Sequence, residues 1–227
     1  RASRSASVSH SLVRFFCKNL LRLAGEGFLA YSKGCLYQYA MKVCSTENMQ
    51  IAERELIVSG TPARTLMKLA SAGIAESLMQ FFPDPGLCVA YVGKGNNGGD
   101  ALTVLNILKQ HGWEIGFRTA YPRNEWSELS VRQLAEISPP PQEYQAPPLP
   151  RTGKPMILLD GLLGIGAKGM LRREISALCA EMNYIRNRCG AVRTVAIDIP
   201  TGVDPDTGMP QQNAVEADFT SSSGING

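Results

Sequence analysis

Three polar clusters in this chain combine residue types that bind and protonate oxygen-rich ligands: Asn96, Asn97, Gly98, Gly99 and Asp100; then Asp160; then Asp198 with Thr201. Each follows a short apolar run (Leu87 to Val92, Met156 to Leu159, Val192 to Ile197) with the length and composition of a buried strand. In open α/β sheets ligands bind outside the carboxyl ends of the strands, so clusters at three equivalent strand ends point to one shared crevice. Taken singly, each also reads as loop capping, because Asp and Asn are ordinary turn residues. Asn97, Asp160 and Thr201 offer oxygen donors for a hard cation, with no sulfur or imidazole required, and with few acids nearby a monovalent ion suits them as well as magnesium does. Asp160 and Asp198 are the acid/base candidates, since a carboxylate in a glycine-lined, partly dry crevice can have its pKa raised toward neutrality. Neither His10 nor His111 has the partners of a nucleophilic triad, and no G-x-S-x-G elbow is present, which disfavours covalent hydrolysis.

The first cluster lies in a glycine-rich stretch. Gly93, Gly95, Gly98 and Gly99 lack a Cβ, which allows positive φ and close approach of a ligand, and the helix expected from Ala101 to Gln110 offers unpaired N–H groups and a positive dipole end to a phosphate. Gly93-Lys94-Gly95-Asn96-Asn97-Gly98 matches the G-x-G-x-x-G dinucleotide fingerprint, strand before and helix after. A nicotinamide-dependent dehydrogenase would also place an acid near the end of the second strand to hold the ribose, where this chain has Arg118 and Tyr121-Pro122-Arg123. No Gly-Lys-Ser or Gly-Lys-Thr follows, so it is not a P-loop. Asp100 would repel a bound phosphate, which a cation could resolve; the commoner role for an acid there is capping the helix.

The elements that must position these groups follow from pattern. A helix starts at Ser45-Thr46-Glu47 and carries Met49, Ala52 and Leu56 toward Gly60; a second, capped by Thr61 with Pro62 at its first position, bears the stripe Leu66, Ala70, Ile74 and Leu78 and ends before Pro83. His111-Gly112 closes the helix after the glycine loop, and Trp113 to Ala120 reads as a second strand, giving a βαβ unit and hence a parallel pair. Ser127 caps a short helix to Ile137, and the prolines between 138 and 150 mark a loop or extended spacer. Residues 172 to 188 are helical, with Ile175, Leu178, Met182 and Ile185 on one face. Strands alternating with helices imply a three-layer α/β/α, Rossmann-like sandwich with a largely parallel sheet.

Composition narrows the class. The 227 residues suffice for one sizeable core. Net charge is +3, but Arg1, Arg4, Arg14, Lys18 and Arg22 precede the first acid, and the remainder is slightly acidic, so charge gives no support for nucleic-acid binding. The six cysteines form no C-x-x-C pair, which argues against zinc or a disulfide framework, and no apolar stretch approaches the ~20 residues of a membrane span. Residues 1 to 44 read as a leader, its first 25 positions rich in Ser and Arg with Leu12, Phe15, Phe16, Leu20 and Leu23 among the cations, as in a mitochondrial transit peptide; a disordered leader, with a cytosolic or secreted location, is the alternative.

Together, Gly-Asn-Asn-Gly-Gly-Asp at 95–100, Asp-Gly-Leu-Leu-Gly-Ile-Gly at 160–166 and Asp-Ile-Pro-Thr-Gly-Val-Asp-Pro-Asp-Thr-Gly at 198–208, each after a strand, resemble the NAD(P)H-hydrate epimerase family, the YjeF N-terminal domain. The resemblance runs from about Ser45 to Thr220 and takes in Glu47-Asn48-Met49-Gln50-Ile51-Ala52-Glu53 of the opening helix. It implies a domain over 45–227 that interconverts the R and S forms of hydrated NADH and NADPH (NADHX and NADPHX) at C6 of the nicotinamide ring, within nicotinamide nucleotide repair. It implies that Asn96, Asn97, Gly98, Gly99 and Asp100 bind this small-molecule substrate, that Gly164, Ile165, Gly166, Ala167, Lys168, Gly169 and Met170 wrap it, and that Asp198 contacts it. Asn97, Asp160 and Thr201 are implied to ligate a potassium ion. Asp198 is the candidate catalytic acid. The family further implies a homodimer and, from one relative, apolipoprotein A-I as a partner; a non-catalytic dimerisation or protein-binding module of the same fold is the competing reading. Lys94 stands where Pro is usual, Ala101 where Gly is, and Thr201 where Ser is common, its hydroxyl still able to ligate. After Ala217-Asp218-Phe219-Thr220 the family pattern continues into further strand whereas Ser221 to Gly227 departs from it, so the last sheet strand is expected to be missing.

Overall fold

The structure, a computed structural model, describes residues 58, 60, 62–147 and 153–221. The leader expected over 1–44, most of the helix expected from Ser45, and residues 222–227 lie outside the described residues. Ten regular elements and one 3₁₀ turn follow in order: α1 (Ala63–Phe81), β1 (Leu87–Val92), α2 (Asn96–Gln110), β2 (Glu114–Thr119), the turn Arg123–Glu125, α3 (Glu128–Ala135), β3 (Gln142–Glu143), β4 (Met156–Gly161), α4 (Arg173–Arg188), β5 (Val192–Ile197) and β6 (Phe219–Ser221). The strands form one sheet in the order β3-β2-β1-β4-β5-β6, with every pair parallel. From β1 the chain winds outward to β2 and β3, and from β4 it winds the other way to β5 and β6. The reversal between β1 and β4 is the topological switch point, where an open parallel sheet leaves a crevice at its carboxyl edge.

Alternation along the strands divides the core into two layers. Cys88, Ala90, Val92, Ile157, Leu159, Val195 and Ile197 face α1, α2 and α3 with Ile74, Leu102, Leu105 and Leu134. Val89, Tyr91, Met156 and Leu158 face α4 through Ile175, Leu178, Cys179 and Met182. Helices on both faces explain why the central strands are apolar throughout. This is the expected three-layer sandwich, with Ile185 only partly buried on the expected stripe. Among the described residues no helix is long and apolar enough to cross a membrane. Burial pushes the thiols of Cys88 and Cys179 well above their ordinary range, as for inert core cysteines.

Some boundaries differ from the sequence expectation. Pro62 stands at the N-cap of α1 rather than at its first helical position. Ser127 does cap α3, accepting from the Ser130 N–H at 3.2 Å, but that helix stops at Ala135. The proline-rich spacer contains β3, two residues paired with β2. Phe219–Ser221 forms a sixth strand beside β5, and the expectation of a missing strand after it falls on residues outside those described. Its Phe219 ring stacks on Phe81 at the end of α1, 5.1 Å between centroids, while Arg186 of α4 holds Asp218 through two hydrogen bonds of 3.0 and 2.8 Å. Burial alone would raise the Asp218 carboxyl; the Arg186 guanidinium and the Thr194 N–H hold it below its ordinary value.

Arg118, which stands where a dehydrogenase would hold ribose, is committed elsewhere. It donates to Glu181 of α4 at 2.7 Å and to the carbonyls of Tyr144 (3.0 Å) and Gln145, while the buried Tyr91 hydroxyl donates to the other Glu181 oxygen at 2.7 Å. Replacing Glu181 by Ala leaves a mostly buried guanidinium and a buried phenol without their acceptor. The expected cost in urea unfolding is about 2–3 kcal/mol.

Candidate functional site

The loop-then-helix expectation for residues 93–110 is corrected at its start: α2 begins at Asn96, so Asn96 to Asp100 form its first turns, with Gly95 at the N-cap. Nor do Gly93, Gly95, Gly98 and Gly99 take positive φ. Two of them are required by space. A Cβ on Gly98 would collide with the Gly93 carbonyl oxygen, and one on Gly93 with the carbonyl oxygen of Leu162. The glycines therefore let the start of α2 sit directly on the ends of β1 and β4, bringing its unpaired N–H groups to the switch point. Ser130 of α3 steadies this turn by donating to the Gly95 carbonyl at 2.9 Å, and the Ser127 N–H donates to the Lys94 carbonyl at 2.8 Å.

At the end of β4, Asp160 is wholly buried. Its Oδ2 accepts from the Thr201 N–H at 2.7 Å, and its Oδ1 accepts from the Thr201 hydroxyl at 2.7 Å and from the Leu162 N–H at 3.2 Å. Thr201 Oγ1 in turn accepts from the Leu163 N–H at 3.1 Å, leaving one of its lone pairs for a further partner. Burial pushes the Asp160 carboxyl up from 3.8 to about 6, and the hydrogen bonds from Thr201 and Leu162 restrain the rise.

At the end of β5, Asp198 adopts φ 67°, a left-handed conformation costly for a residue with a Cβ, and its N–H donates to the Ser221 carbonyl at 2.9 Å. The turn is thus over-determined by the edge strand β6. Its carboxylate reaches the loop after β4: a Cβ placed on Gly164 would lie 2.8 Å from Asp198 Oδ2 and 3.4 Å from both Asn97 Oδ1 and Asn97 Cγ. Asn97, Gly164 and Asp198 therefore converge on one spot. The Asn97 side chain is buried there, and neither Oδ1 nor Nδ2 has a hydrogen-bond partner. A buried primary amide without partners costs the fold free energy unless a ligand or ion occupies the spot.

The remaining sequence-derived residues distribute around this point. Asn96 is exposed at the mouth; Gly98 and Gly99 are buried in the helix turn, Gly99 against Met67 and Ser130. The Asp100 carboxylate lies on the α1 side, 3.4 Å from the Ser71 hydroxyl. Gly164 and Ile165 are half-buried, whereas Gly166, Ala167, Lys168, Gly169 and Met170 form the exposed outer part of the loop, turned by a 3.0 Å hydrogen bond from Ala167 N–H to Gly164 carbonyl. Sequence reasoning missed Gln211, whose side chain bonds this loop at Gly169 and Leu171. A lone Gln in a turn-rich stretch carries no signal for such a contact.

Asn97 Oδ1, the Asp160 carboxylate and the Thr201 hydroxyl fit a potassium ion by their chemistry: all-oxygen donors, one carboxylate, and one amide oxygen otherwise unpartnered. Among the described residues no group of three or more His, Cys, Asp or Glu gathers as a transition-metal centre would require.

The family model of the YjeF-related protein N-terminus matches residues 63–226. The NAD(P)H-hydrate epimerase of Rhodopirellula baltica is 34% identical over 166 residues, covering 70% of this chain and 64% of that protein. The NAD(P)H-hydrate epimerase of Clavibacter michiganensis is 32% identical over 192 residues, 76% of each. The bifunctional NAD(P)H-hydrate repair enzyme Nnr of Archaeoglobus fulgidus is 33% identical over 180 residues, 79% of this chain but 36% of its own length, so the chain spans about a third of that relative. Among solved structures, that of yeast ynu0 superposes with a TM-score of 0.66 at 24% identity over 79% of each chain, which supports the fold.

Proposed function

Because the chain belongs to the family of the YjeF-related protein N-terminus, we propose that it interconverts the R and S forms of hydrated NADH and NADPH, the activity named in its epimerase relatives. The observation that carries this reading is the convergence of the unpartnered Asn97 amide and the carboxylate of Asp198, whose backbone is left-handed, on Gly164 at the switch point. The N–H groups at the start of α2 receive the pyrophosphate of the dinucleotide, and the loop 164–170 covers the nicotinamide end. Asp198 donates a proton to the ring hydroxyl as the C–O bond breaks. The ring nitrogen lone pair stabilises the cation, water adds to the opposite face, and its surplus proton returns to the carboxylate. Asn97, Asp160 and Thr201 would hold a potassium ion, whose charge would offset that of the buried carboxylate. The test is to give the native protein one pure hydrate and follow the appearance of the other by chromatography, with ordinary NADH as a control that should stay unoxidised.

The raised Asp160 carboxyl predicts a distinctive pH dependence. Its folded value, about 6, exceeds the ordinary 3.8, so without potassium the folded state binds more protons than the unfolded one and loses stability as pH rises through that window. A cation needs the carboxylate ionised, so potassium should recover this loss above about pH 6 and do nothing near pH 4. Melting curves in potassium chloride against tetramethylammonium chloride across this range check it; a potassium effect independent of pH would remove Asp160 from the ligand set.

A further inference from the structure

The loop that follows β4 is fastened at both ends to one segment, and the second fastening is a single side chain. Near its start, the Leu163 N–H donates to Thr201 Oγ1 and Gly164 lies against Asp198. Near its end, Gln211 uses both atoms of its amide: Oε1 accepts from the Leu171 N–H at 2.8 Å and Nε2 donates to the Gly169 carbonyl at 3.0 Å. Gln211 is itself held to the strand-end turn, its own N–H donating to the Gly202 carbonyl at 2.8 Å, while its carbonyl accepts from the Ala214 N–H at 3.0 Å. Val215 N–H donates to the carbonyl of Thr201 at 2.8 Å. Leu171 reinforces the contact, since a Cβ on Gly202 would lie 2.9 Å from Leu171 Cδ1. Between the two fastenings, residues 166–170 are exposed.

We propose that Gln211 is a positioning residue that sets the span of the 164–170 loop relative to Asp198 and Thr201, and so sets the affinity for the dinucleotide substrate rather than the chemistry. This rests on the epimerase reading above. The amide suits the task because it offers an acceptor and a donor on one rigid group, matched to the N–H and carbonyl of the loop. Loss of the amide leaves the hydrogen bonds of Asp160 and of the Asp198 N–H intact and touches no contact of Asn97, so the effect should fall on substrate binding. In Gln211→Ala, KM for the hydrate should rise roughly tenfold while kcat stays within about twofold. Amide hydrogen exchange over 164–171 should quicken in the substrate-free protein, with the melting temperature little changed. Gln211→Glu keeps the acceptor for Leu171 and should recover part of the affinity. Unchanged exchange in Gln211→Ala overturns the clasp, and quickened exchange with unchanged KM overturns its role in substrate affinity. If the native chain fails to interconvert hydrates, the proposed function fails, and the exchange measurement alone decides whether Gln211 holds the loop.

Discussion

Asp198→Asn is expected to lower the rate of hydrate interconversion by about a hundredfold or more while leaving hydrate binding intact. The substitution keeps size, and Asn is among the few residues with a Cβ that tolerate the left-handed backbone Asp198 adopts, so the turn and its hydrogen bond to the Ser221 carbonyl survive. An amide cannot deliver a proton to a departing hydroxyl. Calorimetric binding of the hydrate beside a chromatographic rate separates the two effects: retained affinity with a collapsed rate is the expected pair, and a native rate would remove the carboxylate from the proton transfer.

The largest loss of stability is expected from Gly93→Ala. The residue follows β1, and its N–H donates to the Gly161 carbonyl at 3.0 Å. An added Cβ would fall inside the contact distance of the Leu162 carbonyl oxygen, and both partners are backbone, so no rotamer change relieves the collision. β1 and β4 must then part at the crevice itself. Overpacking against rigid backbone should cost about 3 kcal/mol or more, or roughly 10 °C in melting temperature for a chain of this size. Gly95→Ala is the matched control. A Cβ there meets nothing within 4 Å, and its φ of −92° suits any residue, so a change of less than about 1 kcal/mol is expected. Equal effects at the two positions would refute the steric reading of the glycines.

What the residue pattern could and could not convey follows from the physics of each element. β1, β4, β5 and α4 were readable because apolar periodicity is the imprint of burial on one or both faces. Asp160, Asp198 and Thr201 were readable as a group because strand ends in a parallel sheet share an edge. The start of α2 was misread: Asn-Asn-Gly-Gly has poor helix propensity, and packing of Gly98 on Gly93 overrides it. β3 and β6, of two and three residues, are too short to carry a period, and they exist because neighbouring strands present an open edge. Arg118 was legible only as the absence of a ribose-binding acid; its partner Glu181 lies 63 residues further on and across a layer. Gln211 was silent for the same reason. Its partners are backbone groups some 40 residues away, and no local rule encodes that contact.

The most direct test is to incubate the native protein with a single hydrate epimer in water enriched in the heavy oxygen isotope, analysing both epimers by chromatography with mass detection. The expected result is accelerated formation of the opposite epimer, carrying the heavy oxygen at its ring hydroxyl and lost in Asp198→Asn. A folded sample that forms no opposite epimer above the rate in buffer alone would contradict the proposed function.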